Sequence, residues 1–489
     1  VINIITRESD DPWNLNLNSR FSEHNDHRYG GTVGFNAGKF NSLTNVQYNN
    51  VDTYGVDNPG DFSTVFGSRV WNFKERLIYH PLETLKLTAR AGYYFRERNK
   101  PGDTQDRYRD FNGGLKANYT FNTLSNLEVG YTFDQYDKSD YQVLYKNDVR
   151  DYSNVQHNVH ALYNYTFNEK HTLTVGADYL RDYLMSYQFT DNANYIMHTA
   201  DAFGQFDWNP TERLNVIAGL RFDYFSDSNV RHLSPHLGMM YKIGNCSLRG
   251  SYSQGFRSPT LKEMYMVFNM ANMMMIYGNP DLKSETSHNF SLSAEYTKNR
   301  YNFSVTGYYN LVHNRINTVY SDDPKGQIYT NTDKVDIAGV DANISAKYPC
   351  GLGFRMSYTY IHEFMRDGQK KFTDTRPHTA TVRVDWGENL DKVDFNYSLN
   401  GRILSEVKTN VYNDSFNNPA AGSTAVTYPG YMIWDLTFSV GVFKGVNMNL
   451  AINNLFNYVP DYYYFNSPTT TGANLTLGLS LDIDRFFKK

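Results

Sequence analysis

Six methionines lie close together in one segment, and they are the side chains of this chain best suited to soft-metal or ring chemistry. The segment reads EMYMVFNMANMMMIYGNPDL, in a chain with only 14 methionines among 489 residues. A thioether binds Cu(I) and is an axial ligand of haem iron, and methionine packs well against flat rings. It is equally an adaptable apolar filler, so a packing role stays open. The six residues are Met264, Met266, Met270, Met273, Met274 and Met275.

Side chains that could catalyse a reaction are scattered along the chain rather than grouped. His232 and His236 lie near Ser234, whereas Asp341 and His362 follow much later in the sequence. Neither set has the sequence context of a Ser/His/Asp triad. We therefore expect that the protein is not an enzyme.

Composition narrows the class of protein. The net charge is −4 and the sequence has no basic tract, so we expect no nucleic-acid partner. Mean hydropathy is only −0.59, yet the chain contains 41 tyrosines, whose apolar ring and polar hydroxyl suit a boundary between oil and water. The two cysteines, Cys246 and Cys350, are expected to be free thiols. No apolar run is long enough for a membrane-spanning helix.

Apolar and polar residues alternate over long windows, which predicts strands with two chemically different faces. The strands that these windows mark are predicted to run about ten residues or more, which is about what a tilted strand needs to cross a bilayer. Between twenty and twenty-two such windows can be marked, which indicates a barrel of about 22 strands. The clearest windows cover residues 85–95, 127–133, 173–179, 214–224, 338–348, 393–399, 446–452 and 475–483.

The connections between these windows are of two lengths. Short polar turns at 80–84, 121–126, 167–172 and 208–213 alternate with long loops at 49–69, 258–282 and 405–430. Such asymmetry is typical of an outer-membrane barrel, with turns on one side and loops on the other. Because every backbone group must pair internally in lipid, the sheet has to close on itself. A soluble sandwich or propeller is the alternative that alternation alone leaves open.

Five motifs carry a family resemblance. They are VINIIT (Val1–Thr6), GFRSPTLKEMY (Gly255–Tyr265), GNPDLKSETSHNFSLSAEY (Gly278–Tyr296), INNLFNYVPDYYY (Ile452–Tyr464) and a last alternating strand that ends in RFF. Together they resemble the barrel domain of the TonB-dependent outer-membrane transporters, along essentially the whole chain. The first motif is similar to the end of that family's plug domain. Lys488 and Lys489 depart from the pattern, because the family usually closes on a terminal aromatic residue.

The resemblance implies an all-β fold: a transmembrane antiparallel β-barrel at residues 9–489, with residues 1–8 as the end of the plug domain and its linker. The plug and the TonB box would precede Val1. In the bacterial outer membrane such a barrel imports a scarce metal chelate, surrounded by lipid and coupled to the TonB complex through its N-terminal region. The chelate would be transported cargo, and no intrinsic cofactor is expected.

The ligand is suggested by the FRSP and NPDL boxes, Phe256–Pro259 and Asn279–Leu282. Their pairing resembles the haem and haemophore receptors, which carry a histidine between the boxes as an iron ligand. This chain has no histidine there, so Met270 becomes the candidate haem-iron ligand. Arg257 could pair with a ligand carboxylate or form a salt bridge with Glu263 or Glu285. The predicted ligand-binding residues are Phe256, Arg257, Tyr265, Phe268, Met270, Met273, Met274, Met275, Tyr277 and Asn279.

Several alternatives stay open. The cargo could be a corrinoid or a ferric siderophore instead of haem, and a surface lipoprotein or haemophore could deliver it. The methionine segment could serve only packing or contact with a partner protein. A passive porin-type channel is the remaining functional alternative.

Overall fold

Long antiparallel strands account for most of the chain, as the alternation predicts. The structure is a computed structural model that describes residues 8–9, 11–56, 64–190, 193–270, 274–332, 334–365, 375–390, 393–414, 418–462 and 470–487. In chain order the strands are β1 (Trp13–Ser22), β2 (His27–Ala37), β3 (Phe40–Val51), β4 (Tyr54–Gly55), β5 (Thr64–Val65), β6 (Ser68–Leu82), β7 (Leu85–Asn99), β8 (Thr104–Asn122), β9 (Ser125–Gln142), β10 (Asn147–Phe167), β11 (His171–Ser186), β12 (Asn194–Trp208), β13 (Leu214–Phe225), β14 (Val230–Ile243), β15 (Cys246–Arg257), β16 (Val267–Met270), β17 (Met274–Tyr277), β18 (Glu285–Lys298), β19 (Tyr301–His313), β20 (Arg315–Asp322), β21 (Lys325–Thr332), β22 (Val335–Lys347), β23 (Leu352–Met365), β24 (His378–Leu390), β25 (Val393–Leu404), β26 (Val407–Tyr412), β27 (Ser423–Tyr428), β28 (Tyr431–Phe443), β29 (Val446–Asn453) and β30 (Asn474–Asp482).

Twenty-two of these strands form one closed sheet. The first and last strands pair with each other, Leu17 opposite Leu481, so the sheet has no free edge. All neighbours in it run antiparallel, which confirms the predicted barrel and its strand number. The strands outside the barrel are β4, β5, β16, β17, β20, β21, β26 and β27.

The two ends of the barrel differ in their connections. One end has tight turns such as 38–39, 83–84 and 168–170, and we call it the turn end. The long connections 258–284 and 405–430 lie at the opposite end, which we call the loop end. Outer-membrane barrels place short turns in the periplasm and long loops outside the cell, so the loop end is the extracellular one.

The outward face of the barrel is apolar and exposed. Leu115 and Leu292 keep 64% and 70% of their surface accessible, which no soluble core residue would. Inward positions between them are polar: Asn16 donates from Nδ2 to Ser480 Oγ over 3.0 Å. This arrangement, with lipid outside and water inside, is what a membrane barrel requires. Exposed aromatic residues ring the outward face near both ends, among them Trp13, Phe121 and Trp208 at the turn end and Tyr29, Trp71 and Phe111 toward the loop end.

One carboxylate lies on the outward face between these aromatic rings. Glu75 accepts hydrogen bonds from Ser42 Oγ at 2.8 Å and from Thr44 Oγ1 at 2.5 Å. An ionisable side chain exposed to hydrocarbon is costly, and these two hydroxyls satisfy its oxygens within the strand pair β3–β6.

Helices are few and short. They are α1 (Leu261–Tyr265) at the loop end and α2 (Ile483–Phe487) at the turn end, with a 3-10 turn at Pro419–Ala421. In the part of the chain that the structure describes, no helix is long and apolar enough to span a membrane. Cys246 and Cys350 are free thiols, as predicted. Of the predicted plug end, residues 1–7 lie outside the described residues, so the boundary at residue 8 stays a prediction.

Candidate functional site

The methionine segment begins with a capped helix turn. Thr260 Oγ1 accepts from the backbone N–H of Glu263, while Glu263 Oε2 accepts from the N–H of Thr260 at 2.8 Å. This reciprocal pair is a capping box, and it fixes the start of α1 just after the barrel wall ends at Arg257. The sequence TLKE carries the required threonine and glutamate three residues apart.

Two of the methionines are buried packing residues. Met264 is 2% exposed and packs with Leu261, Leu184 and Phe189 in a small apolar cluster at the loop end. Met266 is also buried. For these two side chains the packing interpretation is therefore the one that the structure supports.

The next methionines lie on a hairpin whose two faces point in opposite directions. β16 and β17 pair with Phe268 opposite Ile276, Met270 opposite Met274 and Asn269 opposite Met275. Residues opposite each other share a face, so Phe268, Met270 and Met274 lie on one side and Met275 on the other. Tyr277 lies two residues after Met275 on β17, so it shares the face of Met275. Met273 lies outside the described residues.

This hairpin joins a second loop to form a small sheet above the barrel. β17 pairs in parallel with β21, Ile276 beside Gln327 and Tyr277 beside Ile328. The sheet has the order β16-β17-β21-β20, and we call it the outer sheet. Asn279 donates from Nδ2 to the carbonyl oxygen of Tyr329 at 3.1 Å, which ties the end of the hairpin to β21.

Arg257 is held by two glutamates at the base of the segment. Its Nη1 lies 2.8 Å from Glu263 Oε2, and its Nε donates to Glu285 Oε2 at 2.7 Å. The salt-bridge interpretation of Arg257 is therefore confirmed. The contact links the FRSP box on β15 to the start of β18 and to α1.

Three of the four predicted aromatic residues pack against different neighbours. The ring of Phe256 stacks on His232 with centroids 4.2 Å apart, and Tyr265 stacks on Tyr195 at 4.0 Å. Phe268 meets Tyr187 edge to face at 5.8 Å. The Tyr265 hydroxyl donates to Asp227, and burial with this acceptor raises its pKa to about 12. The described members of the predicted set thus follow one loop, and their rings contact different neighbours.

A second group of chemically capable side chains lies on the inner wall of the barrel near the loop end. Four residues directly opposite one another on adjacent strands alternate between cation and tyrosine: Arg96 on β7, Tyr108 on β8, Lys138 on β9 and Tyr152 on β10. Lys262 of α1 completes the set, with Nζ 4.8 Å from the centre of the Tyr152 ring. We call these five residues the cation–tyrosine row.

The row faces the lumen because of strand alternation. On β8, Phe111 and Leu115 are exposed to lipid, so Tyr108 at the opposite parity points inward. A neighbouring tyrosine, Tyr136, lies between the two tyrosines of the row, with its ring centre 6.3 Å from that of Tyr108 and 6.0 Å from that of Tyr152.

The cations of the row differ in their partners. Lys138 Nζ lies 3.3 Å from Asp151 and 3.6 Å from Asp106, so acidic groups offset its charge. Arg96 and Lys262 have no carboxylate within ion-pair distance among the described residues. Arg96 lies over the ring of Tyr108 at 5.9 Å. Burial lowers the pKa of Lys262, since desolvation disfavours its charged form.

This arrangement can bind an anion that carries flat or aromatic groups. Cations beside tyrosine rings offer charge, hydrogen-bond donors and stacking surface together. Sequence reasoning missed the row, although a signal was present: the inward positions of the ladder at 85–95 continue into Arg96 and Arg98. In the described part of the chain, no three His, Cys, Asp or Glu side chains are grouped so as to hold a metal ion.

A closed 22-strand barrel with long extracellular loops defines an outer-membrane receptor barrel. The sequence matches the family described as TonB dependent receptor-like, beta-barrel, over residues 79–455, and the chain belongs to that family. It is therefore a protein of the bacterial outer membrane, from a family of receptors and transporters.

Relatives and solved structures agree with this assignment. An iron-regulated outer membrane virulence protein of Vibrio cholerae is 24% identical over 297 residues, 56% of this chain and 43% of the relative. Heme/hemopexin utilization protein C of Haemophilus influenzae is 22% identical, over 58% of this chain and 44% of its own. The siderophore receptor PirA from Acinetobacter baumannii has the same fold, with a TM-score of 0.80 at 16% identity, covering 98% of this chain and 82% of that one. The chain spans less than half the length of these curated relatives.

Proposed function

We propose that the protein imports an anionic iron chelate by a TonB-dependent mechanism, and that the cation–tyrosine row is its first contact inside the barrel. The observation that carries the proposal is the alternation of Arg96, Tyr108, Lys138 and Tyr152 across four strands, with Lys262 above Tyr152. Two of the three cations lack a carboxylate partner among the described residues, so an incoming anion would not have to displace one.

A ferric siderophore with phenolate or catecholate groups is the first candidate ligand. Its charge would pair with Arg96 and Lys262, and its rings would stack beside Tyr108 and Tyr152. Haem is the second candidate, because its propionates could use the same cations. The thioether of Met270, which is 42% exposed on the outer sheet, supports haem through ring contact or iron ligation.

Binding of the two chelates to the full-length protein tests the ligand class. We would titrate it with a ferric tricatecholate and, separately, with haemin, and follow the quenching of its intrinsic fluorescence. The variant Arg96→Gln with Lys262→Gln removes the two cations that have no carboxylate partner among the described residues. It should weaken tricatecholate binding by about a hundredfold, since each hydrogen bond to a charged group contributes about 1.5–3 kcal/mol. Arg383→Gln is the matched control, because Arg383 is an arginine that pairs with Asp385 on β24, far from the row. Equal loss in both variants, or in neither, would exclude the row as the binding surface.

Energised import is tested separately. Uptake of iron-55 from the chelate by cells that carry the receptor should stop when a protonophore is added or when TonB is deleted. Uptake that continues under both conditions would favour the passive channel.

A surface lipoprotein or haemophore that delivers the chelate belongs to the same proposal. The exposed side chains of Val267 and Met270 on β16, the first strand of the outer sheet, support such a contact. A crosslinker at Val267 that joins the receptor to one defined surface protein only in the presence of the chelate would support it. Adducts independent of the chelate would count against it.

A further inference from the structure

The outward face of the barrel carries four tyrosine–histidine pairs that share one geometry. In each, a tyrosine on a strand rising toward the loop end bonds a histidine on the next descending strand, two residues nearer the loop end than its direct partner. The hydroxyl-to-Nδ1 distances are 2.8, 2.8, 2.9 and 2.7 Å. The pairs are Tyr131–His157, Tyr179–His198, Tyr252–His288 and Tyr358–His378.

The pairs of His157 and His198 lie at the upper boundary of the apolar band. His157 is paired with Arg181, which is the eleventh residue of β11 counted from the turn end. At about 3.3 Å per residue and a tilt of about 40°, that places the pair about 25 Å above the turn end, which is the height of the apolar band of such barrels. The histidines therefore meet the zone of lipid headgroups at the extracellular side.

Two of the pairs are joined by an arginine. Arg181 lies directly opposite His157 on β10 and directly opposite His198 on β12, so the three form one basic row across neighbouring strands. It has the outward parity of Tyr179 and Val175, which are exposed. Among the described residues no carboxylate lies within ion-pair distance of Arg181, and its neighbours along β11 on this face are Tyr179 and Tyr183.

The tyrosine hydroxyls determine which ring nitrogen of each histidine is left to donate a hydrogen bond. When the Tyr131 hydroxyl donates to His157 Nδ1, the proton of the neutral ring is on Nε2, and the protonated ring also donates from Nε2. His157 and His198 thus present a donor in either state, on both sides of a guanidinium that supplies a fork of donors.

We propose that His157, Arg181 and His198 bind the phosphate of an anionic lipid in the outer leaflet. The occupant is a membrane lipid, because the row faces outward at headgroup height and exposed apolar residues such as Val159 and Val175 lie directly below it for the acyl chains. A free phosphate could use the same donors but would gain nothing from that apolar surface. The proposal depends on the outward face of the barrel alone. It does not depend on which chelate the protein imports.

Lipid retention by the full-length protein is the test. The protein would be reconstituted in vesicles of phosphatidylcholine with a small fraction of diphosphoryl lipid A, extracted in mild detergent, and examined by native mass spectrometry. We expect retained lipid A in the wild type, and about a tenfold or greater loss in Arg181→Gln, as a hydrogen bond to a charged group warrants. The double variant His157→Gln, His198→Gln should show a smaller loss, and Arg181→Lys should recover part of the binding.

The matched control is His288→Gln, which removes the histidine of the Tyr252–His288 pair; the residues directly opposite His288 are Gln254 and Leu311 rather than an arginine. Retention in this variant should equal that of the wild type. Inorganic phosphate at millimolar concentration should fail to release the lipid, whereas release by phosphate would show a free-anion site and overturn the proposal. Equal retention in Arg181→Gln and wild type, with the heat-modifiable migration of a folded barrel in both, would overturn it as well.

Discussion

The methionine segment and the cation–tyrosine row lie at the same end of the barrel, yet they place their chemistry in different ways. In the segment, residues adjacent in sequence are divided between a buried cluster and the two faces of a hairpin. In the row, Arg96 and Tyr152 are distant in sequence, and strand pairing brings them to one level of the lumen wall. A run of one residue type in a loop is thus weaker evidence for a site than inward positions that share a level on neighbouring strands.

The buried methionine Met264 is connected to the cation–tyrosine row through α1. Met264 anchors α1 against Leu184 and Phe189, which belong to the β11 end and the loop that follows it. That anchoring holds Lys262, two residues earlier, over Tyr152. The methionine segment would then act on the ligand through the position of one lysine rather than through sulfur.

Met264→Ala is expected to have the largest effect on the methionine segment. Removing a fully buried methionine costs about 2–5 kcal/mol of stability. Here the loop-end cluster should be destabilised and the barrel should not. Amide hydrogen exchange should speed up in 184–190 and 261–266. The matched control is Met239→Ala, at a lipid-exposed methionine on β14, which should leave exchange in both segments unchanged. Unchanged exchange in Met264→Ala would show that the cluster does not hold α1.

A second test of the segment is Gly278→Ala. A Cβ at Gly278 would lie 2.6 Å from the backbone carbon of Met264 and from the backbone nitrogen of Met266, so the chain must move. Overpacking of this kind costs about 1–3 kcal/mol. We expect faster exchange in 274–279 and weaker protection of the outer sheet. Gly307→Ala is the control, because nothing lies within 4 Å of a Cβ there, and equal behaviour of the two variants would contradict the close approach.

The sequence predicts the barrel well, because the alternation of apolar and polar residues within each strand shows by itself which face meets lipid and which meets water. A ladder such as Leu475, Leu477 and Leu479 needs no knowledge of its partners to show which face meets lipid. The capping box of α1 is equally local, since Thr260 and Glu263 are three residues apart.

The cation–tyrosine row was harder to predict from the sequence, because the residues that lie side by side in it depend on the register between strands. Arg96 lies opposite Tyr108, and Tyr108 opposite Lys138, only because the turns 100–103 and 123–124 set those pairings. The two faces of the β16–β17 hairpin follow from pairing in the same way, so a run of methionines could not reveal that Met274 and Met275 diverge.

A smaller effect is expected from Lys262→Met, which keeps the aliphatic contact with Tyr152 and removes the charge. Loss of one cation that has no acidic partner among the described residues should weaken binding of an anionic chelate about tenfold, or about 1.4 kcal/mol. It should also flatten the dependence of affinity on salt, since fewer charges are screened. Lys262→Arg should retain both properties. Wild-type affinity in Lys262→Met would show that the ligand does not reach α1.

The smallest effect is expected from Met270→Leu, which keeps an apolar side chain of similar size on the outer sheet and removes only the sulfur. Since Met270 is exposed and keeps its bulk in this variant, stability should change by less than about 0.5 kcal/mol, and tricatecholate affinity should stay within about twofold. Haemin binding gives the sharper readout, because loss of an axial thioether changes the visible spectrum of the iron. An unchanged spectrum would assign haem contact, if any, to ring packing and to the cation–tyrosine row. A shifted spectrum with weaker binding would make Met270 an iron ligand and move the site from the barrel wall to the outer sheet.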